Sequence, residues 1–178
     1  MRPVPITPGP GQESVWAYPR PPRVEPVTVR LTVELAGVVV ADTDRCSGEG
    51  PAEVAHRVLE TSHPPTYYLP ASAFAPGTLR PASGSSYCEW KGVASYADLV
   101  VTDVGGASVV ARRAAWGYPD PTTGYDVLLG QWAVMPAAVD RCTVGGETVV
   151  PQEGGFYGGW VTSAVVGPFK GGPGSMGW

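Results

Sequence analysis

Cysteine is scarce in this chain. Its 178 residues hold three, Cys46, Cys88 and Cys142. They are odd in number and widely spaced, and no CxxC occurs. That excludes a disulfide framework and a structural zinc centre built on paired cysteines. Histidine is scarcer, with only His56 and His63. Without a GxSxG motif, no Ser/His/Asp triad can be assembled. Charge is thin as well. Charged residues make up 16% of the chain, and 12 Lys and Arg stand against 16 Asp and Glu, a formal net charge of −4. A sequence-independent nucleic-acid binder needs a basic stripe, and a polybasic membrane-surface protein needs a cationic cluster. Both are excluded. No apolar run approaches the roughly 20 residues of a membrane helix. The opening MRPVPITPGP lacks the apolar stretch of a signal peptide. The expectation is a cytoplasmic protein without nucleic-acid or membrane partners. Oligomeric state is left open.

Glycine and proline are abundant instead, at 24 and 20 residues. That content borders on low-complexity composition. Yet 43% of the residues are hydrophobic and 10% aromatic, enough to build a core. Length suits a single domain. Residues 1–26 read as a Pro-rich arm that strapping aromatics, Trp16 and Tyr18, hold against the body. Residues 27–178 read as one β domain that includes a packed Gly/aromatic tail, 152–178. Flexible linkers lack aromatics, whereas this tail carries Phe156, Tyr157, Trp160, Phe169 and Trp178.

Period-two alternation marks the strands. VTVRLTVEL alternates apolar and polar residues, turns at Ala36-Gly37 and returns as VVVAD, a hairpin. Ala52–Glu60 is ambiguous between a helix face opened by Pro51 and a short strand, HRVLE. Thr66–Leu69 reads as a strand and Ala71–Ser85 as loop anchored by Phe74 and Leu79. Ser86–Val101 reads as a strand pair or one bent strand, with Cys88, Trp90, Ala94 and Tyr96 on its core face. Gly92 within it implies a bulge or the close approach of another backbone. Gly105-Gly106 and Gly145-Gly146 are hairpin turns, and Val127–Val134 is a further strand. Cys88 and Cys142 read as small buried thiols and Cys46 as exposed. Seven or eight short strands with Gly/Pro turns indicate an all-β sandwich or barrel-like fold.

Several segments carry a family resemblance: ESVWAYPRPP, RVLETSHPPTYYLP, YCEWKGVASY, AAWGYPDPTTGY and the run from CTVGGETVVPQEGGFYGGWVTS to GPFKGGPGSMGW. Together they resemble the DUF 427 family, a domain of unknown function, over nearly everything from Glu13 to Trp178. The resemblance implies a small antiparallel β-tent fold and tilts RVLE towards strand. Two departures stand out. Cys46–Val54 looks like an insertion, and Ala17 stands where the family often has an acidic residue. A nucleotidyltransferase label attached to the family would require a Gly-Gly or Gly-Ser turn, a helix and then two carboxylates on one strand. Asp42 and Asp44 alternate here, but Gly37 lies too close before them, so they read as a strand end and a turn. β-tent relatives often hold zinc with four cysteines, which this chain lacks. His56, His63 and a lone Cys have no metal-ligand spacing. CTVGG does not match the nucleophile context of a B-type methionine sulfoxide reductase, and GPFKGGPGS is not a phosphate-cradling loop before a helix. The expectation is therefore no metal and no cofactor.

CEWKG with its aromatic neighbours is the strongest candidate cluster. Alternation alone puts Lys91 on a solvated outer face. The other reading sets it at the mouth of an aromatic pocket, paired with an anion or with Glu60. Glu60 follows an apolar run and reads either as a desolvated acid/base group or as an exposed strand end. Trp116 and Tyr118 read as ligand walls or as ordinary core. The candidate ligand-binding set is Glu60, Tyr68, Trp90, Lys91 and Trp116. The favoured function is binding of a small polar or anionic ligand in an aromatic-lined pocket. One alternative is an enzyme with Glu60 as general acid or base and Lys91 as electrostatic stabiliser. Another is a self-association module.

Overall fold

A computed structural model describes residues 3–175 and 177–178. The architecture is all-β. In chain order the strands begin with β1 (Glu13–Ser14), β2 (Arg23–Pro26), β3 (Leu31–Leu35), β4 (Val38–Asp42) and β5 (His56–Leu59). Next come β6 (Thr66–Pro70), β7 (Leu79–Cys88), β8 (Gly92–Thr102), β9 (Ser108–Gly117) and β10 (Gln131–Val134). The last are β11 (Arg141–Val144), β12 (Glu147–Thr148), β13 (Val150–Pro151), β14 (Trp160–Val161) and β15 (Val165–Val166). A seven-stranded antiparallel sheet, ordered β2-β5-β6-β10-β9-β8-β7, curls into a half-barrel. A four-stranded antiparallel sheet, β12-β11-β3-β4, packs on one of its faces.

The alternation of β3 decides which face is core. Leu31, Val33 and Leu35 are buried while Thr32 and Glu34 between them are half-exposed. They meet Tyr67 and Leu69 of β6, Leu99 of β8 and Val134 of β10. On β6 the intervening Tyr68 necessarily points to the opposite face, where it joins Val58, Tyr118 and Ala133 in a second cluster. The same two-residue period thus builds the main core and lines the hollow of the half-barrel. The β3–β4 turn is the expected Ala36-Gly37, both residues at positive φ, 53° and 73°, as a two-residue hairpin loop requires.

Both ends of the chain close on this body. Arg57 of β5 binds Glu13 at 3.0 Å and Glu25 at 2.8 Å, and the Tyr18 hydroxyl donates to Glu13 at 2.7 Å. β1 pairs with β15, and Trp16 donates its indole N–H to the Pro168 carbonyl at 2.8 Å. Trp160 is fully buried in the main core and donates to the Val134 carbonyl at 3.0 Å. Burying a side chain of that size contributes about 3 kcal/mol. Among the described residues no helix is long and apolar enough to cross a membrane.

Four local expectations need correction. Leu79–Ser85 is not loop but the first part of β7, an edge strand mostly exposed on both faces, which leaves alternation nothing to bury. Val127–Val134 is not one strand: Asp126–Leu128 forms a 3-10 turn, and the strand starts only after Gly130 at φ 75°. Cys46 is half-buried rather than exposed, and Cys88 is half-buried rather than buried, because it ends the exposed edge strand β7. The ambiguity at Ala52–Glu60, by contrast, resolves in favour of the strand to which the resemblance tilts it: a 3-10 turn at Pro51–Glu53 leads into β5.

Candidate functional site

The hollow of the half-barrel holds a cavity of about 740 Å³. Glu60, Tyr68, Trp90, Lys91 and Trp116 all border it. Three structural devices bring them together. Strand alternation turns Tyr68 inward from β6. Antiparallel pairing sets Trp116 of β9 opposite both Tyr96 of β8 and Ala133 of β10. Trp90 and Lys91 come from the tight turn between β7 and β8.

That turn overturns the solvated reading of Lys91. Alternation through CEWKG fails because Glu89, Trp90 and Lys91 are turn residues rather than strand residues. Gly92, at φ 97°, permits the reversal, and a Cβ there would sit 3.3 Å from the Asp120 carbonyl and from Thr122 Oγ1. The Thr122 N–H donates to the Lys91 carbonyl at 3.1 Å, so the 118–124 loop braces the turn. Lys91 ends only 8% exposed, its Nζ 5.7 Å from the centroid of the Tyr118 ring.

Glu60 and Lys91 do not form an ion pair. Glu60 follows the end of β5 and Lys91 precedes β8, and three strands, β6, β10 and β9, lie between β5 and β8 in the sheet. The Glu60 carboxylate instead faces Arg20 of the arm, at 3.8 Å from its Nε. Arg20 also binds Glu89 at 2.8 Å and lies over the Trp90 ring at 5.8 Å. Among the described residues Lys91 has no carboxylate within 4 Å. Burial acts to lower its pKa, but nearby Tyr68, Cys88 and Glu60 outweigh burial and hold it above the ordinary lysine range. Burial in turn pushes the Tyr68 phenol up. A charged ammonium therefore borders the cavity without a direct carboxylate partner. The buried indole N–H of Trp90, beside it in sequence, has no acceptor either.

Further wall residues come from segments without periodic patterning. Arg20 belongs to the arm, His63 to the Thr61–Pro65 turn, Arg113 to a bulge in β9, and Lys170 to the tail. The cavity thus has four cationic side chains, Arg20, Lys91, Arg113 and Lys170, against two carboxylates, Glu60 and Glu89. This is a basic hollow in an acidic chain. His63 fixes its turn: its Nδ1 donates to the Thr61 carbonyl at 2.9 Å. A carbonyl only accepts, so Nδ1 carries the proton and Nε2 keeps its lone pair. Burial lowers the His63 pKa, and the ring meets Tyr157 edge-on at 4.7 Å. Gly158 has no side chain where one would collide with the Trp116 ring, so the tail closes directly on that wall. Among the described residues no three His, Cys, Asp or Glu side chains gather as a metal site.

A family model described as a domain of unknown function (DUF427) matches residues 23–145. That stretch contains the five sequence-nominated wall residues together with His63 and Arg113. Arg20 precedes it, and Tyr157 and Lys170 follow it. No curated protein matches the chain.

Proposed function

Because the chain belongs to the DUF427 family, whose description assigns no activity, we propose a function from the cavity itself: binding of a small anionic ligand against its aromatic walls. One observation carries this reading. Lys91 is a buried ammonium facing a cavity with no carboxylate within ion-pair distance among the described residues. An isolated buried charge is costly unless a counter-charge arrives, and a bound anion supplies one. The unsatisfied Trp90 N–H beside it supports the same reading, since an anion also offers it an acceptor. Tyr68, Trp90, Trp116 and Tyr118 provide flat apolar contact for the body of such a ligand.

The test is thermal unfolding with inorganic phosphate and with benzoate as probes. A ligand that binds only the folded state raises Tm as its concentration rises. The expected result is a rising Tm for the wild type and none for Lys91→Met, provided its circular dichroism stays native. A wild-type Tm indifferent to both anions refutes the reading.

Catalysis is a second reading, with Glu60 as general acid or base and Lys91 stabilising developing negative charge. It draws support from Glu60 and the free ring nitrogen of His63, which border the same cavity. It requires that Glu60→Gln still bind the ligand while a chemical change in that ligand, followed by mass spectrometry, ceases.

A further inference from the structure

Arg113 is set in place by an irregularity in the β8–β9 pairing, just before the buried core residues Ala114 and Ala115. Between the β8–β9 pairs Ala97↔Ala115 and Leu99↔Ala111, one residue of β8 faces three of β9, Arg112, Arg113 and Ala114. Arg113 takes the strain of this bulge, at φ 50°, a left-handed conformation that disfavours a non-glycine residue. The Asp98 carboxylate holds it there by accepting its backbone N–H at 2.7 Å. The bulge places the guanidinium over the Tyr96 ring, its Cζ 4.1 Å from the centroid. Gly84 leaves room for it, since a Cβ there would approach Arg113 Nη2 to 3.3 Å. Arg113 is solvent-exposed where it borders the cavity and, among the described residues, has no carboxylate within ion-pair distance.

Lys91 and Arg113 are thus two cations without carboxylate partners on one cavity, and they are not adjacent. Tyr96, under Arg113, lies four residues along β8 from Gly92, a rise of roughly 13 Å. A cavity of about 740 Å³ is also far larger than an inorganic anion needs, and the wall between the two cations is aromatic. Resting on the ligand-binding reading above, we infer that the cavity takes a flat, elongated molecule with an anionic group at each end. The inner group meets Lys91 and the Trp90 N–H, the outer meets the edge of the Arg113 guanidinium, and the body lies along the aromatic wall. A guanidinium stacked on a ring keeps its N–H edge free for such a bidentate contact.

The experiment compares two probes by isothermal titration, naphthalene-2-carboxylate and naphthalene-2,6-dicarboxylate. The expected result is a wild-type preference of about tenfold for the diacid, the scale of one charge-assisted contact. Arg113→Asn should bring the ratio of the two affinities close to one. Asparagine tolerates positive φ, so this variant keeps the bulge, and an unchanged far-ultraviolet dichroism spectrum verifies its fold. Lys91→Met should abolish binding of both probes. If the monoacid binds through Lys91 but the diacid gains nothing, or the gain survives Arg113→Asn, this inference fails and the anion-binding reading stands. If neither naphthoate binds while phosphate or benzoate raises Tm, the elongated ligand is excluded. If no anion binds, both readings fall.

Discussion

His63 illustrates how one side chain couples the cavity to pH. Its ring is largely buried, and burial lowers its pKa. The unfolded chain therefore takes up a proton near the ordinary histidine value, about 6.5, before the folded chain does. Stability is lost as pH falls below that value. Between pH 7 and pH 5 the wild type should lose about 1 kcal/mol more than His63→Gln in urea unfolding; equal losses would mean that the ring is no more desolvated in the fold than in the open chain. Carboxylates act in the same direction at lower pH. Hydrogen bonding from Arg30 lowers the Asp42 pKa, so its contribution is present above the ordinary carboxylate range and is lost on further acidification. Cys142 behaves differently from the cavity residues. Burial alone pushes its thiol up to about 12, consistent with the small core residue its strand position indicates.

At the scale of elements, the β7–β8 turn decides the character of the site. Gly92→Val would force a β-branched residue into φ 97° and press its Cβ against the Asp120 carbonyl. The expected cost is about 2–3 kcal/mol in chemical denaturation, with weakened anion binding because the turn carries Lys91. A variant as stable as the wild type would show that the turn re-forms without glycine. The hairpins at Ala36-Gly37, Gly105-Gly106 and Gly145-Gly146 were legible in sequence because a turn residue separates two alternating runs. The first part of β7 was not legible, since PASGSSY has polar and small residues on both faces of an exposed edge. The chemistry of Lys91 is visible in the sequence, but its direction is not, because alternation cannot tell where a strand gives way to a turn. Nothing in the sequence pattern places Arg20, His63, Arg113 and Lys170 on the cavity, for a related reason. An arm, a Pro-flanked turn, a bulge and a Gly-rich tail have no period from which to infer a direction.

For the molecule as a whole, the family match ends at residue 145, yet the fold is completed beyond it. Trp160 fills the main core, Gln152 donates to the Lys170 carbonyl at 2.6 Å, and the Lys170 N–H reaches back to Ser62 at 2.8 Å. Removing Gly154–Trp178 exposes the pocket Trp160 leaves, a loss of about 3–5 kcal/mol before any other contact is counted. The melting temperature should fall by about 10 °C or more; an unaltered melting curve would make the tail a dispensable appendage. The uneven placement of charge has a kinetic consequence. The chain is negative overall, and with four cations and two carboxylates gathered at the cavity its remaining surface is more negative still. An approaching anion is repelled at a distance and attracted only once inside. Screening acts first on the distant repulsion, because its reach is about 10 Å at 0.1 M salt. Moderate salt should therefore quicken capture of the ligand while shortening its residence, the reverse of the slowed capture expected when a protein's net charge and its binding site attract the same partner.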